Sequence, residues 1–260
     1  MDKNKINHWK KIKDFLYPLK GVYSSLFLYP QNKIEFSEEV NYDKYWEDKR
    51  GSSLGNLSSW QKARADIVLD SIKKKGDSLT DVGCGDGSVL NYLKQTREDL
   101  SLRGVDVSEL ALGHAKKKGI ETLRININDL NEVNKINTSD YFLLLEVLEH
   151  LPAPELLLKS IHDKSQKGVF FSFPNSGYFI YRLRLFFGKF PAQWRINPGE
   201  HLRFWTNSDL KWWLNSLGYK KYEISYYKGV VILNKILPSL FAAGFVVFLP
   251  VRKLKNNENE

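Results

Sequence analysis

Residues 78–87 read Ser78-Leu79-Thr80-Asp81-Val82-Gly83-Cys84-Gly85-Asp86-Gly87. A short apolar run ends on an acid and then breaks into alternate glycines. The next residues, 88–96, have the spacing of a helix, so the stretch reads as strand, tight turn and helix start. Glycine lets a backbone turn sharply and approach a ligand with no Cβ in the way. Exposed N–H groups at the N-terminus of the following helix are then expected to face that ligand.

The pattern is Gly-x-Gly-x-Gly, whereas dinucleotide folds carry Gly-x-Gly-x-x-Gly. Asp81 stands two residues before the first glycine, where a carboxylate is poor company for a pyrophosphate and suits an ammonium group. A second acid, Asp106, follows the run 102–105, with Val107 after it. A carboxylate at the end of a second strand can accept both hydroxyls of a ribose. After a third run come Asn126-Ile127-Asn128-Asp129-Leu130, where Asp129, beside Asn128 and the Leu130 backbone, can meet an adenine amino group. Acids at three successive strand ends call for a nucleoside that bears a cation and no phosphate. S-adenosylmethionine has an ammonium, a sulfonium and no phosphate.

Outward from this motif the chain alternates. Runs at 79–82, 102–107, 122–125, 140–145 and 168–173 suit buried parallel strands, with helical patterns at 57–75, 88–96, 109–118 and 154–163. Such alternation predicts an α/β, Rossmann-like sheet of seven mostly parallel strands with helices on both faces. The tail adds a strand at 219–226, a helical stretch at 234–243 and an antiparallel final strand at 245–251. The apolar stretch 229–251 is interrupted by Asn234, Lys235 and Pro238. Its unbroken part is shorter than the ~20 residues that cross a bilayer, so it reads as sheet.

Gly83, Gly85, the Asp106 position and Glu146-Val147-Leu148-Glu149-His150-Leu151 resemble the class I S-adenosylmethionine-dependent methyltransferases, over residues 76–218. The last segment is similar to the motif after the fourth strand in ubiquinone-biosynthesis-type O-methyltransferases (methyltransferase types 11 and 23). The resemblance implies that Gly83, Gly85, Asp106, Asp129 and Glu146 surround the cofactor, with S-adenosylhomocysteine as the product; Asp81, Cys84, Gly87, Val107, Asn128 and Leu130 complete the candidate cofactor-binding set. Residues 171–175, 181–186, Trp194 and 200–205 look like the MetW family of methionine biosynthesis. The chain departs from that pattern at Glu149-His150 and in its long N-terminal extension.

Methyl transfer to oxygen needs an aligned acceptor and the removal of its proton. His150, after the fourth strand, and His201, between Glu200 and Arg203, are the candidate bases. A loop-start structural role competes for His150. No His, Asp or Glu grouping has metal-ligand spacing, so no metal is expected. Residues 174–205 read as a lid insertion. In it Asn175, Tyr178, Arg182, Trp194, Arg195 and Arg203 are candidate contacts to a small, glycan or anionic acceptor. Arg184 and Lys189 stand there too, among Tyr181, Phe186, Phe187 and Phe190. A lid helix whose aromatic side chains are simply core is the competing reading.

Domain boundaries are expected at 1–55 for a helical extension, 56–254 for the cofactor domain and 255–260 for a disordered tail. In the extension Trp9, Ile12, Phe15, Leu16 and Leu19 recur at helical spacing among lysines. Such a helix can cap the domain or its pocket, or lie on a membrane surface. Cys84 is the only cysteine, which rules out a disulfide framework or thiolate zinc cluster and suits a reducing, cytoplasmic setting. Residues 178–260 carry 13 basic and five acidic side chains, nearly all of the net +9. That surface can attract anionic substrates or lipid, or it can be a solvated face. Nucleic acid is not favoured, because no RNA-binding module is visible. The function expected is O-methylation of a small-molecule, glycan or lipid-linked sugar acceptor. A MetW-like partner protein with little catalysis and an RNA methyltransferase are the alternatives.

Overall fold

Both faces of the central sheet are buried, because its strands carry apolar side chains at odd and even positions alike. The computed structural model describes residues 23, 26–28, 42–50, 54–191, 193 and 200–251. Its strands are β1 (Ser78–Val82), β2 (Ser101–Asp106), β3 (Glu121–Arg124), β4 (Ser139–Leu145), β5 (Ser165–Pro174), β6 (Glu223–Tyr227) and β7 (Gly244–Pro250). They form one sheet in the order β3-β2-β1-β4-β5-β7-β6. The first five are parallel, and β7 runs antiparallel to β5 and β6. The expected seven-stranded Rossmann-like sheet is therefore present.

Side chains alternate across a strand, so β4 feeds two cores. Phe142 and Leu144 point into one and Leu143 and Leu145 into the other. The second core packs against α2 (Ser59–Ser71) through Ala65, Val68 and Ile72. It also meets α3 (Ser88–Thr96) and α4 (Glu109–Lys117) through Leu90, Leu93, Leu112 and Ala115. The first core is covered by α5 (Leu130–Val133), α6 (Pro154–Lys164) and α8 (Asn207–Ser216). Each fully buried Leu or Phe contributes ~1.5–3 kcal/mol relative to exposure. A charge placed at Phe142 or Leu143 would break the layer it faces.

Local chemistry sets the helix ends. Ser58 and Gln61 form a capping box for α2, and Thr206 and Asp209 form one for α8. Ser108 and Asp129 cap α4 and α5 with side-chain oxygens. Each cap satisfies an amide that the first helical turn leaves unpaired.

Strand order reverses at β1. The chain moves outward to β2 and β3 and then returns on the other side as β4. Ligands bind outside the carboxyl ends of the strands at such a switch point. Asp81, Asp106 and Glu146 all lie along that edge.

Three expectations shift. The run 219–226 pairs only over β6, and the helical stretch 234–243 splits into α9 (Val231–Ile236) and α10 (Pro238–Phe241). Pro238 cannot continue a helix and starts the second piece. Residues 174–205 are not without structure, since they hold α7 (Phe179–Phe186), and their ends meet in a bridge between Asn175 and Trp205. Trp205 stacks on Phe173 with ring centroids 4.2 Å apart, which closes the base of the insertion. Among the described residues no helix is long and apolar enough to cross a membrane. The amphipathic segment 9–19 and the tail 255–260 lie outside the described residues. One more N-terminal helix, α1 (Tyr42–Arg50), is described.

Candidate active site

The glycine turn follows β1 and folds back on β2. Gly83 and Cys84 both donate their N–H to the Val105 carbonyl, at 2.7 and 3.0 Å. Gly85 donates to Asp106 Oδ2 at 2.8 Å, Gly87 to the Cys84 carbonyl at 3.2 Å, and Ser88 to Asp86 Oδ1 at 3.0 Å. The turn's own amides thus have internal acceptors, as has Ser88 at the start of the helix. A phosphate would need them free. Gly87 has φ 69°, and a Cβ there would lie 2.7 Å from the Ala115 Cβ. The Cys84 sulfur is buried against Gly104, so only its backbone borders the turn.

Asp81 is 3% exposed and accepts no hydrogen bond among the described residues. Burial, and then the charge of Asp106, push its carboxyl up to about 7, against the opposing pull of Arg64. Arg64 reaches this place from α2. Its Nη1 lies 3.2 Å from the Tyr227 hydroxyl and 3.7 Å from Glu146 Oε1, and its buried Nε has no hydrogen-bond partner among the described residues. Glu146 Oε1 also accepts from the Ser172 and Tyr227 hydroxyls, at 2.9 and 3.0 Å. Glu146 has φ 59°. A left-handed, non-glycine residue at a strand end is a costly conformation that points to a functional constraint.

A desolvated carboxylate without a donor calls for a cation, and an orphaned guanidinium N–H calls for an anion. Asp81 and Arg64, near enough to feel each other's charge, are the groups that could hold the ammonium and carboxylate of an α-amino acid. Asp106 uses Oδ2 for Gly85 and Oδ1 for Ser108, and burial raises its carboxyl despite those bonds. Each carboxylate oxygen keeps a second lone pair, enough for ribose hydroxyls. Asp129 caps α5 through Oδ1, while Asn128 and Leu130 stay exposed beside it at the end of β3. The Val107 carbonyl accepts from Arg124.

On the other side of β4, the 3₁₀ turn Leu148–His150 presents Glu149 and His150. Residues 200–203 fold onto it. Leu202 and Arg203 donate their N–H to the Glu149 carbonyl at 2.8 and 3.1 Å, and His150 Nδ1 meets the Glu200 carbonyl. The His150 and His201 rings stand edge to face with centroids 4.8 Å apart. One donor atom from each of Glu149, His150 and His201 lies within 4.8 Å of the others. Ligand atoms around one ion are about 3–4 Å apart. The fold thus gathers three candidate donors that sequence spacing did not reveal, at separations of up to 4.8 Å, wider than one ion's ligand shell.

Several expected acceptor contacts have structural partners instead. Asn175 is fully buried, with Nδ2 donating to the Ser239 and Ala242 carbonyls and Oδ1 accepting from Gly177. Arg184 is also buried and donates to the carbonyls of Leu26, Leu28 and Phe190. Arg203 reaches the Pro152 carbonyl rather than orienting His201. Arg182 donates Nε to Gly177 and is exposed, and Tyr178 is half-buried. Trp194 and Arg195 lie outside the described residues.

Residues 57–224 match the model of a family described as methyltransferase domain, well over half of the 260 residues. The chain belongs to this methyltransferase family. It is 28% identical over 171 residues to a ubiquinone biosynthesis O-methyltransferase of Coxiella burnetii, covering 62% of this chain and 71% of that one. It is 24% identical over 147 residues to "Probable (S)-tetrahydroprotoberberine N-methyltransferase 2" of Papaver bracteatum, covering 55% of this chain and 34% of that one. The chain therefore spans about a third of the plant relative's length. An S-adenosylmethionine-dependent methyltransferase of Archaeoglobus fulgidus has the same fold, with a TM-score of 0.56 at 17% identity over 82% of this chain and all of that one.

In this methyltransferase Asp81 and Arg64 are the groups that could hold the methionyl end of S-adenosylmethionine, and Asp106 the one that could hold its ribose. Sequence reading missed Arg64 and Tyr227. Both sit in unremarkable helix and strand contexts, and only their burial beside Glu146 marks them.

Proposed function

We propose that the methyltransferase transfers the methyl group of S-adenosylmethionine to a hydroxyl oxygen of a small-molecule, glycan or lipid-linked sugar acceptor. The observation that carries this is the His150–His201 ring pair just past the end of β4, the strand whose next residue is Glu146. A carbonyl can only accept, so His150 donates from Nδ1 to Glu200, and in the neutral ring the proton-accepting nitrogen is Nε2. In the reaction the acceptor O–H gives its proton to that Nε2. S-adenosylmethionine, when bound, would supply an activated methyl carbon for in-line attack by that oxygen, with its thioether sulfur keeping the electron pair of the broken C–S bond. Arg64, Asp81 and Asp106 hold the cofactor, so that alignment supplies much of the rate. A test is release of S-adenosylhomocysteine with a panel of phenols, sugars and lipid-linked sugars. His150→Ala and His201→Ala should lower kcat by about 100-fold or more with cofactor affinity unchanged. Rates within a few-fold of wild type would refute the assignment.

A second reading rests on the Glu149–His150–His201 donor set. A divalent ion there would lower the pKa of an acceptor hydroxyl and so supply the deprotonation by another route. The Nδ1–H bond of His150 to a carbonyl is the outer contact that commonly orients a ligating imidazole. Titration with Mn²⁺, read by its electron spin resonance signal, separates the two readings. Saturable binding lost in His201→Ala supports the metal, and no binding in the wild type leaves the histidines as bases.

The acceptor reading draws support from the surface. Phe186, Ile232 and Ile236 are 80, 75 and 68% exposed, on α7 and α9. Phe179 of α7 packs on Phe241 of α10 with ring centroids 5.5 Å apart. Exposed apolar side chains in the basic third of the chain suit peripheral docking on an anionic lipid surface.

A further inference from the structure

Helix α1 precedes the segment that matches the family, residues 57–224. It nevertheless lies on the cofactor turn. An ideal Cβ on Gly85 would stand 2.2 Å from both Cζ2 and Cη2 of Trp46, so the indole edge rests directly on the middle glycine. Asp43, one helical turn earlier, accepts from Ser108 Oγ at 2.5 Å and from the Leu110 N–H at 3.1 Å. It thereby joins α1 to the start of α4. Tyr42 is close enough to Asp106 that burial, and then that charge, raise its phenol. Just past α1, Gly55 donates its N–H to Asp86 Oδ2 at 2.8 Å. Farther back, Arg184 of α7 holds the Leu26 and Leu28 carbonyls. The extension is thus fastened at the cofactor turn and at the insertion.

A helix added only for solubility or for a partner would not seat an indole on Gly85 or tie an acid to the cap of α4. Asp106 and Gly85 are the two places where a nucleoside must approach, and α1 spans both. We propose that α1 forms the outer wall of the cofactor pocket, with Trp46 as a cofactor-contacting residue supplied from outside the segment that matches the family. This rests on the S-adenosylmethionine reading above. Trp46 offers its ring to the bound nucleoside or methionyl group, and Asp43 positions the helix that carries it.

The experiment is titration of the full chain with S-adenosylmethionine and with S-adenosylhomocysteine by calorimetry, for wild type, Trp46→Ala, Trp46→Phe and Asp43→Ala. Trp46→Ala should bind both ligands roughly tenfold more weakly. Trp46→Phe should recover part of the loss, and Asp43→Ala should resemble Trp46→Ala although its side chain touches no ligand. The tryptophan fluorescence change on binding should shrink in Trp46→Phe. Ligand-free melting of each variant shows whether the domain itself is intact, and the partial rescue by phenylalanine separates a contact from general damage. Affinity within twofold of wild type in Trp46→Ala would overturn the wall. So would tighter binding, because the indole would then be a plug in the pocket. A wild-type protein that binds neither ligand would instead sink the cofactor reading itself.

Discussion

Replacing Asp81 with asparagine removes one titratable group from the buried end of β1 and keeps the side chain's shape. In the ligand-free protein burial and Asp106 push this carboxyl from its ordinary 3.8 up to about 7. Below pH 4 the folded and unfolded chains both carry the proton. Between pH 4 and 7 the folded chain holds it and the unfolded chain does not, so stability falls as pH rises through that window. Above pH 7 the loss is complete. Each tenfold change in proton affinity is ~1.4 kcal/mol, which sets an upper bound of ~4 kcal/mol on the loss. Arg64 and Asp106 share the local charge, and relaxation lowers the figure, so a loss of ~2 kcal/mol is expected. Asp81→Asn should therefore melt several degrees above wild type at pH 8, by about 2–4 °C for each kcal/mol. At pH 4 the two should melt together. The same substitution should weaken S-adenosylmethionine by about 100-fold, because the ammonium loses its counter-charge. In the wild type, affinity should rise from pH 5 to 8 as the ligand's ammonium replaces the proton. Denaturation and calorimetry across pH 4–8.5 measure both. Parallel stability profiles for wild type and variant, with unchanged affinity, would refute the reasoning.

Other outcomes follow from single contacts. Gly87→Ala puts a Cβ 2.7 Å from the Ala115 Cβ at φ 69°, and urea denaturation should show a loss of about 2 kcal/mol or more. Trp205→Ala removes the ring stacked on Phe173 at the base of the insertion. It should cost ~3 kcal/mol, with KM for the acceptor raised more than cofactor Kd; equal effects on both would show that the base does not shape the acceptor side. For Phe186→Ser with Ile236→Ser, sedimentation with anionic vesicles should fall while cofactor affinity stays unchanged. Recovery of the wild-type protein in the supernatant at low salt would remove the membrane surface from consideration.

Much of this architecture was legible in one dimension. The strand–glycine–helix stretch 78–96 and the apolar runs after it carry local signals, because backbone freedom at glycine and side-chain periodicity act within a few residues. That Asp81 and Asp106 share one edge could be read because parallel strands place their carboxyl ends together. Asp129 lies five residues past β3 and caps α5.

What only the folded chain decided depends on contacts between distant segments. Whether an amide in the glycine turn is free turns on the Val105 carbonyl and Asp106, 21 or more residues away. Asn175 and Arg184 looked like acceptor contacts because nothing in their neighbourhood says where their donors go, and the fold spends them on distant carbonyls. His201 joins Glu149 and His150 across some fifty residues, which no spacing rule spans. Arg64, Tyr227 and Trp46 enter the site from a helix, an edge strand and the extension. Hydrogen bonding, desolvation and packing are set by proximity in space, and sequence encodes that proximity only through the completed fold.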